Sequence, residues 1–194
     1  MKFIATILLM FFSFVLSDFG QDLTKVEKST DFPRLNRLRK LSETPLPATE
    51  NETDEAYRLV IWPTFYGPIS IRIEKKKKVI RLTAKKLRGA GGYEVWDIES
   101  KKEIVLSDKQ LQLFKRLLTK ADFIRMPTRE TRFDERDDGT ALICLDGAEW
   151  ILEQVVDGKH HIIERYCSED MNLHKIVFQL VEFSKLKIPK AELF

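Results

Sequence analysis

The sequence predicts an α+β fold, with an antiparallel sheet of hairpins and a C-terminal three-stranded meander packed with two helices. Asp146-Gly147 and Asp157-Gly158 each lie between β-prone runs, which is the strongest short-range signal of a β-hairpin. Two other segments have apolar residues at helical spacing. The β-prone runs outnumber these helical segments and do not alternate with them, which favours an antiparallel α+β domain over a parallel sheet.

The N-terminal residues 1–17 have the layout of a secretory signal peptide. Residues 3–16 carry no charge and are almost all apolar, and Val15 and Ser17 suit cleavage before Asp18. A membrane-spanning helix needs about 20 apolar residues, more than this run contains. We therefore expect a secreted or periplasmic protein whose mature chain has no transmembrane segment.

Residues 18–53 are expected to form a flexible linker, because they have few periodic apolar residues and many Ser, Thr, Pro and charged residues. Within this linker, residues 34–41 have the spacing of a basic amphipathic helix, although two turns are marginal in isolation. One domain is then predicted over residues 54–194.

The first part of this domain is predicted to be a series of strands. The lysines at 75–78 form a charged connection between two strands, and RGAGG at 88–92 is typical of a loop. A hairpin is expected around the polar residues 100–103. The predicted strands are 57–62, 69–74, 79–84, 95–98 and 104–106.

Two helices complete the predicted domain. Ser107 and Gln110 have the spacing of a capping box, which predicts a helix over 108–121. The second helix is predicted over 170–187. Their apolar faces would carry Leu111, Phe114, Leu117, Leu118 and Ala121 in the first helix and Leu173, Ile176, Val177, Leu180 and Phe183 in the second.

The predicted meander has strands at 140–145, 148–156 and 159–167. With two-residue turns, Leu145 faces Ala148 and Val156 faces Lys159. The expected core face collects Ile143, Leu145, Trp150, Leu152 and Ile163, with His161 and Arg165 among them. The other face is mixed and expected to be partly exposed, with Leu142, Ile151, Val155, Ile162, Glu149, Glu153, Glu164, His160 and Tyr166.

The sequence contains two cysteines, Cys144 and Cys167. In the predicted register they lie on the outer strands of the meander, two inter-strand spacings of about 4.8 Å apart. A disulfide requires Cα atoms within about 7 Å. We therefore expect no disulfide and two packed thiols.

The mixed face carries the candidate catalytic residues Glu149, Glu153 and His160. Carboxylates beside an imidazole can act as a general acid and base. The favoured alternative is that these side chains are the solvent-facing residues of an antiparallel sheet. Adjacent residues on a strand point to opposite faces, so His160 and His161 cannot share an ion, and no HExxH or CxxC spacing occurs. We expect no metal and no cofactor.

A cluster of lysines is the second kind of candidate site. The binding candidates Lys75, Lys76, Lys77 and Lys78 lie within a basic segment that can meet phosphate, an acidic glycan or an anionic membrane. The alternative is a solubilising hairpin whose lysines protect an edge strand from association. Because 33 basic residues balance 30 acidic residues, nucleic acid is not an expected partner.

The last third of the chain resembles a family of small exported bacterial proteins of unknown function. The shared pattern is DGxxWxxE followed by GxxHxxxR, carried here by Asp146, Gly147, Trp150, Glu153, Gly158, His161 and Arg165, with a weaker upstream match at Gly91, Gly92 and Tyr93. The resemblance implies a bacterial origin and no particular activity. It makes Trp150, His161 and Arg165 binding candidates beside Glu153, which the predicted register places on the opposite face.

These observations favour a non-enzymatic extracytoplasmic protein that binds a protein partner in the periplasm or extracellular space. An immunity or inhibitor protein is one concrete version. One alternative is an envelope hydrolase or other enzyme that uses the Glu and His residues of the mixed face. The other is a protein that binds anionic surfaces through the lysine hairpin at 75–78.

Overall fold

The computed structural model describes residues 32–46, 55–129 and 146–194. Its six strands form one antiparallel sheet in the order β4-β3-β2-β1-β5-β6. The α+β class and the antiparallel sheet are therefore confirmed. The elements are α1 (Phe32–Lys40), β1 (Glu55–Pro63), β2 (Ile69–Lys76), β3 (Val79–Gly89), β4 (Val95–Leu106), α2 (Asp108–Lys120), β5 (Ala148–Val156), β6 (Lys159–Tyr166) and α3 (Met171–Ser184), with 3₁₀ turns at Phe123–Arg125 and Lys190–Leu193. The expected signal peptide lies outside the described residues.

Helices α2 and α3 pack on one face of the sheet and form the core with it. The predicted capping box is present, since the Ser107 hydroxyl accepts from the Gln110 N–H and the Gln110 side chain accepts from the Ser107 N–H. At the start of α3, the carboxylate of the N-cap residue Asp170 accepts from the N–H groups of Asn172 and Leu173. The core residues are Tyr57, Leu59 and Ile61 of β1, Ile69, Ile71 and Ile73 of β2, Ile80 and Leu82 of β3, Trp150 and Leu152 of β5, Ile163 of β6, Leu111, Phe114 and Leu118 of α2, and Leu173, Ile176, Val177, Leu180 and Phe183 of α3.

The register of the β5–β6 hairpin is the one predicted from its Asp-Gly turn. Val156 lies opposite Lys159, and Leu152 lies opposite Ile163. Asp157 and Gly158 both have positive φ, the conformation that a tight turn of this kind requires. Two turn residues therefore determine which side chains of β5 and β6 enter the core.

The predicted three-stranded meander is wrong, because β1 occupies the other edge of β5. Leu152 lies opposite Leu59 of β1 as well as Ile163 of β6. Both edges of β5 are therefore paired, by β1 and β6, and residues 140–145 lie outside the described part of the chain. Strand β1 is buried along its whole length, so it needs a neighbour on each side, and distant β5 supplies one.

The prediction of two unpaired thiols is also wrong, because Cys167 is disulfide-bonded. The only other cysteine of the sequence is Cys144, which lies outside the described residues. The prediction assumed that β5 separates the two cysteines. That assumption fails with the meander, since β5 has β1 as its second neighbour.

Strand β4 replaces the hairpin predicted around residues 100–103. It is continuous from Val95 to Leu106 and pairs with β3, which extends to Gly89. Most of its side chains are exposed because it lies at the edge of the sheet. An edge strand can be polar on both faces, so the polar residues did not mark a turn.

A buried carboxylate joins β1 to β2 and α2. Glu55 accepts hydrogen bonds from the Tyr57 hydroxyl at 2.7 Å, from Lys115 of α2 at 2.8 Å and from Lys75 of β2 at 3.2 Å. Burial raises the pKa of Glu55, but the hydrogen bonds from Lys115 and Tyr57 outweigh this and hold the pKa below its usual value. Burial and the nearby Glu55 carboxylate raise the pKa of Tyr57.

We expect Glu55→Gln to lower the free energy of unfolding at pH 7 by roughly 1.5–3 kcal/mol, because charged hydrogen bonds are lost. A depressed carboxyl pKa contributes stability above the unfolded-state value, and that stability disappears as the pH falls through the folded-state value. The difference from wild type should therefore shrink below about pH 4. Urea unfolding of both proteins from pH 7 to pH 3 measures this difference in the free energy of unfolding. The control is Glu94→Gln, a substitution at an exposed residue. A difference that stays constant over this range would contradict the assignment.

Candidate functional site

The face of the sheet opposite the helices carries Arg58, Arg72 and Glu153, and we call it the second face. Residues 41–46, here called the strap, lie across its centre although they belong to the predicted flexible linker. Leu41 and Leu46 are buried, and Leu46 packs against Ala56 of β1 and Val155 of β5. The second face is the mixed face of the sequence prediction, which was expected to be partly exposed. In the structure the strap covers its centre.

Glu153, the central candidate on this face, forms a buried ion pair. It lies directly opposite Arg58 on the neighbouring strand, and Arg58 Nη2 donates to Glu153 Oε2 at 2.7 Å. The two side chains are only 1% and 2% exposed. Burial lowers the pKa of Arg58, while the carboxylates of Glu153 and Glu43 act in the opposite direction.

The structure brings together two of the three candidate catalytic residues. His160 Nε2 lies 3.6 Å from Glu153 Oε2, at the more exposed rim of the face. Glu149 is four residues from Glu153 along β5, roughly 13 Å away at the rise of a strand, and lies opposite Trp62 and Tyr166. The Glu153 oxygen that faces His160 is the one already bonded to Arg58.

A second buried carboxylate, Glu43, comes from the strap. Its side chain is 3% exposed and lies 2.7 Å from Lys85 Nζ, 3.6 Å from Arg72 Nη1 and 4.0 Å from Arg58 Nη1. We call Arg58, Arg72 and Lys85, from the three neighbouring strands β1, β2 and β3, the cation row. Arg72 also binds the half-exposed Glu74 at 2.6 Å.

The cation row also binds the backbone of the strap. Arg58 donates to the Thr44 carbonyl at 2.6 Å, and Lys85 donates to the Ser42 carbonyl at 2.8 Å. Arg72 reaches the Thr44 carbonyl and hydroxyl, both at 3.2 Å. These contacts give the cations hydrogen-bond acceptors in place of water and attach the strap to the sheet.

The sequence contained one signal for this cluster that our interpretation did not use. Arg58 is a charged residue inside the β-prone run 57–62, and a charge there requires a buried partner. Glu43 gave no signal, because it lies in a segment without periodic pattern.

Trp150, His161 and Arg165 lie on the helix side of the sheet, where each bonds to a backbone carbonyl. Trp150 Nε1 donates to Leu193 at 2.7 Å, His161 Nε2 lies 2.8 Å from the Phe123 oxygen, and Arg165 donates to Pro127 at 2.9 Å. They tie the segments that follow α2 and α3 to the sheet. The residues of the resemblance therefore do not form one pocket with Glu153.

The lysine hairpin is only partly available for binding. Lys75 bonds to Glu55, as described above, whereas Lys76, Lys77 and Lys78 are exposed at the β2–β3 turn. Lys77 has a positive φ of 56°. The lysines thus make a tight turn at one end of the sheet, remote in register from Glu153.

The described residues contain no group of three or more His, Cys, Asp or Glu side chains placed to hold a metal ion. Within the same ranges, no helix has the length and apolar character to cross a membrane. A pocket of about 270 Å³ lies on the helix side, lined by Tyr57, Lys115, Leu118, Thr119, Asp122, Phe123, Ile124, Gln154 and Val156.

Four exposed aromatic residues form a further surface, which the sequence interpretation missed. Phe65, Tyr66 and Tyr93 lie in the loops at one end of β1–β2 and β3–β4, and Trp96 follows at the start of β4. Their exposed fractions are 52%, 40%, 71% and 58% in that order. The rings of Phe65 and Tyr93 stack with centroids 6.0 Å apart. We call these four residues the aromatic tip.

Backbone hydrogen bonds hold the two loops of the aromatic tip together. The Gly91 N–H donates to the Tyr66 carbonyl at 3.0 Å, and the Gly92 N–H donates to the Thr64 carbonyl at 2.9 Å. Trp62 Nε1 donates to the Gly91 carbonyl at 2.8 Å. A Cβ on Gly91 would lie 2.4 Å from the Pro63 oxygen, so only glycine allows this approach. The aromatic side chains therefore extend from a rigid base.

The chain matches no protein-family model and no curated protein sequence.

Proposed function

We propose that this chain is an exported binding domain, not an enzyme, and that it recognises a protein partner through the aromatic tip. The observation that carries the proposal is the display of four exposed aromatic rings, three on hydrogen-bonded loops and the fourth, Trp96, at the start of β4. Exposed aromatic clusters mark interaction sites, and Trp and Tyr are enriched among the residues that dominate binding energy. Glu153, the strongest acid/base candidate, is instead held in a buried pair with Arg58.

The surroundings of the aromatic tip support a protein partner. Arg88 and Asp97 lie beside it, 4.0 Å apart and both well exposed, so charges of both signs border the aromatic rings. An apolar centre with a polar rim is the usual anatomy of a protein interface. Loops held in one conformation lose little entropy on binding, which favours affinity.

Two observations support a location outside the cytoplasm. Residues 3–16 form an uncharged apolar run after a basic residue, as in a signal peptide. Cys167 is in a disulfide, and disulfides persist mainly in oxidising compartments. The partner should therefore come from the same compartment.

Site-specific cross-linking tests this proposal. With p-benzoylphenylalanine in place of Tyr93, we expect one extracytoplasmic protein to be cross-linked in the source cells. The same probe in place of Val105, which is 72% exposed on β4 beyond the aromatic tip, should not capture it. With the purified partner, Tyr93→Ala and Trp96→Ala should each weaken the Kd at least about tenfold, as loss of an interface hot spot does.

The matched control for affinity is Val105→Ala, which should leave the Kd unchanged. All three variants should keep the wild-type melting temperature, because the replaced side chains are exposed. Equal affinity of the wild type and the aromatic variants would refute the proposal.

A further inference from the structure

The cation row directs three positive charges at one position above the sheet. The strand register requires this convergence, because Arg58 lies directly opposite Arg72 and Lys85 lies opposite Ser70, two residues along β2. The Glu43 carboxylate occupies the position and is reached by all three cations within 4.0 Å. If Glu43 were absent, like charges would remain close together in a largely buried site, which is unfavourable.

The strap is held in the way that a protein holds a bound peptide. The cation row binds the carbonyls of Leu41, Ser42 and Thr44, contacts that any sequence can make. The side chains of the strap make the contacts that depend on its sequence. These are the Glu43 carboxylate and the two buried leucines on either side of it in the chain, Leu41 and Leu46. The strap itself contains no helix or strand. Backbone contacts that supply affinity and pockets that select side chains are the two parts of peptide recognition.

Three buried polar atoms at the site have no hydrogen-bond partner among the described residues, namely Arg58 Nε, Arg72 Nε and the Ser70 hydroxyl. The Ser70 hydroxyl is fully buried on β2, directly opposite Lys85. A buried hydroxyl without a partner is unusual and can donate to an incoming acceptor.

We propose that the cation row is a carboxylate-binding site and that Glu43 fills it as a built-in ligand. The ligand chemistry is a carboxylate, either small and free or carried by an acidic peptide with leucines on each side, like the strap. The site is independent of the aromatic tip, which lies at the end of the sheet.

A thermal-shift experiment on the full chain with Glu43→Ala tests the site. The variant should melt about 5–10 °C below wild type, because the cations lose their counter-charge. Sodium formate should raise its melting temperature by about 3 °C more than sodium chloride at the same ionic strength. In the wild type and in the exposed-site control Glu94→Ala, the two salts should act equally.

Further variants keep the test decisive. Glu43→Gln retains the shape of the side chain and one acceptor oxygen, so it should fold with a smaller loss of melting temperature and a weaker formate response. Lys85→Met added to Glu43→Ala should abolish the response to formate, because the closest cation is removed. Equal effects of formate and chloride on both Glu43 variants would overturn the proposal.

A second arm distinguishes the two sources of the carboxylate. The probes are an acetylated and amidated peptide of residues 41–46 and the same peptide with Gln in place of Glu43. A larger rise in the melting temperature of Glu43→Ala with the Glu peptide supports an acidic peptide as ligand. A rise with formate alone supports the site with a small free carboxylate as ligand.

Discussion

Replacing Arg58 with leucine is expected to lower the free energy of unfolding by about 3–5 kcal/mol. The substitution leaves the Glu153 carboxylate, 2% exposed, without the guanidinium that binds it at 2.7 Å. Removing one partner of a buried ion pair has an effect of this size, because the remaining charge cannot recover its hydration. Urea unfolding followed by circular dichroism measures the change.

The double variant Arg58→Leu with Glu153→Leu separates the cost of the orphaned charge from the value of the pair. Replacing both partners by apolar residues is often neutral, so the double variant should recover most of the stability that the single variant loses. Some loss should remain, because Arg58 also donates to the Thr44 carbonyl of the strap. Arg81→Leu, an exposed arginine on β3, is the matched control and should change little.

Two outcomes would contradict this account of the second face. One is an Arg58→Leu variant within about 1 kcal/mol of wild type, below the range for a broken buried pair. The other is a double variant that loses the sum of the two single losses, since that would show no coupling between Arg58 and Glu153.

Removing the disulfide at Cys167 is expected to lower the free energy of unfolding by about 3 kcal/mol. Cys144 is the only possible partner within the sequence, and a crosslink between these positions closes a loop of 24 residues, both cysteines included, in the unfolded chain. Loss of this restraint increases the entropy of the unfolded state. Urea unfolding of Cys167→Ser, and of wild type with and without a phosphine reductant, measures the effect.

Thiol titration gives an independent measurement of the same prediction. Denatured protein that has not been reduced should show no reaction with a thiol reagent. After reduction, both cysteines should react. Cys144→Ser should lose as much stability as Cys167→Ser, and the double variant should lose no more than either. Two reactive thiols before reduction, or a reductant without effect on unfolding, would refute the disulfide.

The second face shows how far a site can be predicted from sequence. The register of the Asp-Gly hairpin correctly placed Glu153 and His160 on one face and Trp150, His161 and Arg165 on the other. It could not identify Arg58 as the partner of Glu153, because the two residues are 95 positions apart. Local spacing carries no information about that pairing.

The sequence by itself determined the elements whose causes are local. The Asp157-Gly158 turn specified the β5–β6 register, the Ser107–Gln110 capping box specified the start of α2, and helical periodicity specified the buried faces of α2 and α3. The tertiary structure alone decided that β1 pairs with β5, that Glu43 of the strap binds the cation row, and that Cys167 is crosslinked. These contacts join segments far apart in the chain, and their free energy must exceed the entropy lost when the intervening loops close. That balance depends on burial and charge complementarity between distant surfaces, which no short stretch of sequence records.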